Sequence, residues 1–338
     1  MSARASILPV FVPHLGCPHD CVFCNQRRIT GEPAPVDAKR LREILSALPA
    51  DRRAEAPQLA FYGGSFTAIP EERQIELLEE ARRAIDRGIV SSIRLSTRPD
   101  AVDSARLERL KDYGVDTVEI GAQSMDDEVL RLSGRGHTAE DVRRASGLVK
   151  ASGLKLVLQM MTGLPGDTEE KSLRTARELI GLRPDGVRIY PTVIVRDTAL
   201  FALWQRGLYR EHTVEDAVRL CAKLLPLFEA AGVPVIRVGL NPTDELSGGA
   251  AVAGAYHPAF GELVRSRILL EKAELLLKNA EPGSRVVLGV RPALLSQMLG
   301  QKKQNLFALM EEFRLGDLRV EPNSSISGEI EILSIENH

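Results

Sequence analysis

Cysteine and aromatic residues are scarce in this chain: four cysteines, one tryptophan and an aromatic content of 4% in 338 residues. Four cysteines are few for a disulfide framework. Three of them, Cys17, Cys21 and Cys24, fall so close together that short loops would strain any mutual pairing. They read as ligands in a reducing compartment. The fourth, Cys221, lies in the amphipathic run Val214 to Glu229 and reads as a small buried apolar residue. Long apolar runs are also missing. Nothing approaches the ~20 uninterrupted apolar residues that cross a bilayer, and Met1 to Arg28 holds no leader-like stretch. No membrane association is expected, and a cytoplasmic location is. The charge is nearly balanced, 44 basic against 46 acidic side chains for a net -2, so no global field steers the molecule to nucleic acid. A local basic patch stays open. There is no internal repeat and no low-complexity tract.

What is present is a globular composition, 44% hydrophobic and 27% charged, long enough for one large α/β barrel or two ordinary domains. Short β-rich runs alternate with helix-period segments, the pattern of βα units around a parallel sheet. Strands are expected at Ile7 to Val12, Gln58 to Tyr62, Ser92 to Ser96, Thr117 to Gly121, Lys155 to Met161 and Gly186 to Pro191. Helices are expected at Asp37 to Leu48, Pro70 to Arg87, Ser104 to Tyr113, Ala139 to Ser152 and Glu169 to Leu182, several opened by a capping Asp, Ser, Thr or Pro. The fold class is α/β: a partial (β/α)6 TIM-like barrel with its chemistry in the loops at the C-terminal ends of the strands.

After Pro191 come Leu200 to Tyr209, a long helix to Ala231, a strand Pro234 to Val238, and the Gly/Ala-rich loop Ser247 to Tyr256, read as a lid or a surface connection. A helix from Phe260 to Asn279 stops at Pro282 and Gly283, and the tail reads as a small C-terminal α/β module, β (Arg285 to Val290), helix, helix, β, then a final strand. The expected domains are therefore 1-240 (barrel), 241-282 (covering loop and helix) and 283-338 (tail module).

Cys17-Pro18-His19-Asp20-Cys21-Val22-Phe23-Cys24, immediately after the first strand, places three thiolates on one loop. Three thiolates bind three irons of a 4Fe-4S cubane and leave the fourth iron without a protein ligand. The amino and carboxylate groups of S-adenosylmethionine (SAM) can chelate that iron, so that an electron enters the sulfonium and releases a 5′-deoxyadenosyl radical. A zinc site completed by His14 or His19 is the competing metal reading.

The C-x3-C-x-aromatic-C run resembles the radical SAM superfamily signature. By that resemblance Phe23 lies against the adenine of SAM, and Gly63 and Gly64 of Tyr62-Gly63-Gly64-Ser65-Phe66-Thr67 receive its amino group. Similarity to the branch that contains oxygen-independent coproporphyrinogen III oxidase assigns Gln123 to the ribose hydroxyls and Arg135, in Gly134-Arg135-Gly136-His137, to the methionine carboxylate. Gln159, expected with Met161 on the barrel-facing side of strand five, is a further SAM contact. Where the branch commonly has an acidic residue on the third strand this chain has Ser96, before Thr97-Arg98-Pro99-Asp100, so ribose recognition there is weaker or falls to Gln123.

Arg188-Ile189-Tyr190-Pro191-Thr192-Val193-Ile194-Val195-Arg196-Asp197-Thr198, running on to Leu203-Trp204-Gln205-Arg206-Gly207-Leu208-Tyr209, resembles the radical SAM domain of the Elongator catalytic subunit, which modifies wobble uridine in tRNA. The matching stretches cover roughly residues 7 to 240. The Elongator subunit spaces its first two cluster cysteines further apart. The tail after residue 240 is too short for its acetyltransferase domain, so that domain is expected to be lacking and an acetyl-CoA-dependent reaction is not carried over. The resemblance implies tRNA or another RNA as substrate, and an electron donor for the cluster.

Within the tail, Gly300-Gln301-Lys302-Lys303-Gln304-Asn305 between two helices resembles a degenerate KH core, with Lys303 in place of the second glycine of G-x-x-G. Tyr256 and His257, after the glycine-rich loop, are candidates for a radical relay or acid, or else a cap for the next helix. Two further functional readings stay open: the same chemistry on a small metabolite or porphyrin-like compound, and a non-enzymatic iron-sulfur or zinc module.

Overall fold

The computed structural model describes residues 6–32, 34–48 and 56–337. Seven strands form one parallel sheet in the order β1-β2-β3-β4-β5-β6-β8: β1 (Ile7–Phe11), β2 (Gln58–Tyr62), β3 (Ile93–Thr97), β4 (Val115–Gln123), β5 (Lys155–Thr162), β6 (Gly186–Pro191) and, after β7 (Val193–Val195), β8 (Val235–Val238). It is the curled half-barrel that the alternating pattern predicts, with one difference. The Pro234 to Val238 run is a seventh member of the sheet, pairing in parallel with β6 through Val187 and Val235.

The connecting helices form where an apolar stripe and a polar N-cap coincide. In Ala139–Ala151 the buried residues Ala139, Val142, Ala145, Ser146 and Val149 recur every three to four positions, facing the sheet. Thr138 and Asp141 close a capping box at its start. Asp37, Asp103, Thr168, Thr198 and Thr213 cap other helices with their side-chain oxygens. Strands of a sheet covered by helices bury both faces, as the fully buried Leu59, Ala60 and Phe61 of β2 do.

The Gly/Ala-rich segment differs from the expected loop. Ala251–Gly254 is a strand, β9, paired antiparallel with β7 through Val193 and Gly254. Ala-Val-Ala-Gly has weak β-propensity, and its pairing comes from a strand about sixty residues earlier.

The chain divides into two compact units, residues 1–217 with 224–258, and residues 218–223 with 259–338. In the second unit, β10 (Arg285–Val290) is central, parallel to β11 (Asp317–Pro322) and antiparallel to β12 (Ile330–Glu336). Helices Leu295–Leu299 and Gln304–Glu312 join β10 to β11. Helix Phe260–Leu277 shares their core, in which Leu269, Ala273 and Leu277 pack with Val286, Leu288, Met298 and Leu309.

Candidate active site

The carboxyl ends of β1 to β6 open onto one cleft, the position that a parallel barrel reserves for chemistry because each strand hands over there to a variable loop. Cys17, Cys21, Cys24 and Phe23 line it from the loop after β1, Gly63 and Gly64 from the end of β2, and Ser96 from β3. Gln123, Arg135 and Gln159 line it from β4, the turn beyond it and β5. Tyr256 and His257 are not among the lining residues. Tyr256 packs on the apolar cluster of Val193, Val195 and Leu246, and its hydroxyl meets Ser247 Oγ at 2.8 Å.

The first two loops interlock. His14 N donates to Gly63 O at 2.9 Å and Ser65 N donates to Leu15 O at 2.9 Å. A Cβ at Gly64 would stand 2.5 Å from both Val12 O and Leu15 O, so only glycine permits this approach. His14 is turned inward as a scaffold, its Nε2 accepting from Gln26 N at 2.9 Å. Among the described residues no three His, Cys, Asp or Glu side chains converge on one metal ion.

Two cysteine sulfurs have side-chain donors: Gln26 Nε2 lies 3.2 Å from Cys24 Sγ, and Arg135 Nη1 lies 3.2 Å from Cys21 Sγ. Burial pushes the Cys24 thiol up to about 12, the Gln26 hydrogen bond opposing it. Burial, then the neighbouring Cys21, raises Cys17, while Arg135 and Arg98 pull it down. Gln123 ends β4 in the left-handed region at φ 64, its Oε1 accepting from Gln159 Nε2 at 3.1 Å. A non-glycine residue held there is the kind of local strain that collects at functional sites.

A second polar cluster forms one wall of the cleft. Glu119 Oε1 accepts from Tyr62 Oη at 2.6 Å and from Arg94 Nη1 at 2.8 Å, and Arg188 Nη2 donates to Tyr62 Oη at 2.9 Å. Arg188 Nε stands 2.9 Å from Glu119 Oε2, and Arg188 Nη1 reaches Tyr190 Oη at 3.4 Å. Burial is the largest influence on Arg188 and would lower its pKa, but the charge interactions with Glu119, Tyr190 and Tyr62 and the Glu119 hydrogen bond together outweigh it, and the net shift is upward. Sequence reasoning did not select these residues as a site. The available signal was charge at positions of β3, β4 and β6 that otherwise read as buried strand.

A curled parallel sheet with a three-cysteine loop at its carboxyl edge, beside glycines and paired amide and guanidinium side chains, is the plan of a barrel enzyme built around an iron-sulfur cofactor. The chain belongs to the radical SAM superfamily, whose model matches residues 11–179, and a radical SAM C-terminal domain model matches 184–269. Its cofactors are those of the superfamily, a 4Fe-4S cluster and SAM. It is 33% identical over 187 residues to human Elongator complex protein 3, covering 49% of this chain and 34% of that one. It is 29% identical over 239 residues to the tRNA uridine(34) acetyltransferase of Dehalococcoides mccartyi, 59% of this chain and 51% of that one. The chain thus spans between a third and about half of the length of these relatives. In fold it is similar to an N-terminally truncated Elp3 of Methanocaldococcus infernus, with a TM-score of 0.61 at 22% identity, covering 82% of this chain and 66% of that one. No helix among the described residues is long and apolar enough to cross a membrane.

Proposed function

We propose that Cys17, Cys21 and Cys24 hold the 4Fe-4S cluster, one thiolate to each of three irons, and that the enzyme acts on RNA of the tRNA class. The observation that carries the first part is the convergence of the three cysteines with residues of six strands on a single cleft. A cubane takes its thiolates on different irons, so the sulfurs need not meet at one point as around zinc. The donors on Cys21 and Cys24 suit ligating thiolates, and Arg135 Nε, buried without a partner, leaves a donor for a bound group. Bound beside Cys17, Cys21 and Cys24, the cluster would supply the electron for reductive cleavage of SAM.

The chain's own groups then bind and orient SAM. Gly63 and Gly64 let the backbone approach its amino group, Gln123 and Gln159 form an amide pair for the ribose, and Phe23 offers a face to adenine. Ser96, whose Oγ lies 3.4 Å from Phe61 O and Gly64 O, adds a hydroxyl in place of an acid. Arg135 contributes the donor that its other contacts leave free.

The RNA part rests on the likeness to the Elongator protein and the uridine(34) enzyme, and on the tail. Lys302 and Lys303 stand exposed between two helices, with Phe307 60% exposed one turn further on. Cations beside an exposed aromatic suit a single-stranded nucleic acid. An external one-electron donor and a cytoplasmic location complete the proposal.

The deciding experiment is a titration of the full chain with total cellular tRNA at several salt concentrations. Binding should weaken as salt rises, and Lys302→Glu with Lys303→Glu should weaken it across sequences while SAM cleavage without substrate survives. Equal affinity of parent and double variant, or no binding by the parent at low salt, removes RNA from the tail.

A further inference from the structure

The Gly134-Arg135-Gly136 turn is built against the cysteine loop itself. Val22 N donates to Ser133 O at 3.1 Å, tying the turn to the residue after Cys21. Gly136 has φ +70, a conformation that favours glycine, and the His19 ring packs on its open side, Nε2 2.3 Å from where a Cβ would stand. Arg135 is 7% exposed, with Nη1 3.2 Å from Cys21 Sγ and Nη2 2.8 Å from Gly121 O. Its backbone is fixed as well. The Arg98 guanidinium, 4% exposed, donates to Arg135 O and is held by both carboxylate oxygens of Asp100 at 3.0 and 3.1 Å. Each Nη therefore has one partner, and Nε is buried without one.

We infer that Arg135 is a positioning residue for the cluster, raising its reduction potential by donating a charge-assisted hydrogen bond to the sulfur of Cys21. This rests on the reading that Cys21 ligates iron. One-electron reduction adds negative charge that is shared with the thiolate sulfurs, and no bond forms or breaks. A cationic donor 3.2 Å from one of those sulfurs stabilises the reduced form more than the oxidised one. Burial strengthens the effect, because little water competes for the donor. Gln26 on Cys24 acts in the same sense without a charge. Two of the five guanidinium N–H donors are used in these contacts, so Nε–H and the second N–H of each Nη stay available for the SAM carboxylate expected from the family resemblance.

The test is a redox titration of the full chain, reconstituted anaerobically without SAM, poised with dithionite and followed by electron paramagnetic resonance. Working without SAM keeps any loss of SAM binding out of the readout. Parent, Arg135→Leu and Arg135→Lys should each bind about four irons per chain. The leucine variant should be tenfold harder to reduce, a shift of about 59 mV to more negative potential for one electron, and the lysine variant should fall between. The reduced parent should also show a hyperfine coupling from an exchangeable proton that is absent in Arg135→Leu. An unchanged midpoint in both variants overturns the inference. If Arg135→Leu loses iron, the lysine variant and the parent's exchangeable coupling decide: an unshifted midpoint, or no coupling, overturns it. A parent that takes up no cluster sinks the three-cysteine reading instead, a separate outcome.

Discussion

Glu119 is 3% exposed and faces Arg94 and Arg188 together, a buried charge whose stability depends on its partners. Glu119→Ala leaves two guanidiniums without a carboxylate, and breaking a buried pair from one side costs about 3–5 kcal/mol. Urea denaturation of the apo-protein should register that loss, and Glu119→Gln, which keeps the hydrogen-bond acceptor, should lose less. His137 gives a pH signature. It is 5% exposed, its Nε2 lies 3.2 Å from Ala122 O, and burial followed by the adjacent Arg135 lowers its pKa to about 3. Unfolded, it protonates near the ordinary histidine value of 6.5. Between 6.5 and about 3 the unfolded chain therefore holds the extra proton, and stability falls as pH falls through that window. His137→Gln should flatten the slope there, measured as unfolding midpoint against pH, and an unchanged slope would remove His137 from the acid response. The cysteine loop was legible in the sequence because its residues are contiguous. The Glu119 and Arg188 pair was not, because the two are 69 residues apart and meet only when β4 and β6 curl toward a shared interior.

At the scale of elements, the six strands and their helices were legible because short β-rich apolar runs alternate with segments of the 3.6-residue helix period, with caps at the joints. Thr138 carries one such joint, so Thr138→Ala should lower the stability of the fold by about 1 kcal/mol in chemical denaturation. A loss well below that would mean that packing of Val142 and Val149, not the cap, fixes where Ala139–Ala151 begins. What escaped was β9, whose Ala-Val-Ala-Gly has no period to read and whose partner β7 is distant. The order of tail elements was legible, but its conformation was not. Lys302 and Lys303 sit in succession at φ 50 and 61, in the left-handed region where lysine is strained. Lys302→Gly should relieve that strain and raise the thermal midpoint. The result complements the charge-reversal titration, since it alters backbone preference at the same position.

For the whole molecule, a net charge of -2 leaves no long-range attraction for RNA, so any binding must come from local groups and show a modest salt slope. The candidate cofactor residues of the cleft, by contrast, all belong to the first compact unit. Fold, family and cofactors follow from that unit, and the central claim is that its three-cysteine loop is where the cluster sits. Iron content and SAM cleavage, measured on the same anaerobically reconstituted and reduced sample, test it most directly. The parent should bind about four irons per chain and turn SAM into 5′-deoxyadenosine and methionine, and replacing Cys17, Cys21 and Cys24 together by Ala should abolish both. Iron and cleavage retained in the triple variant would contradict the account.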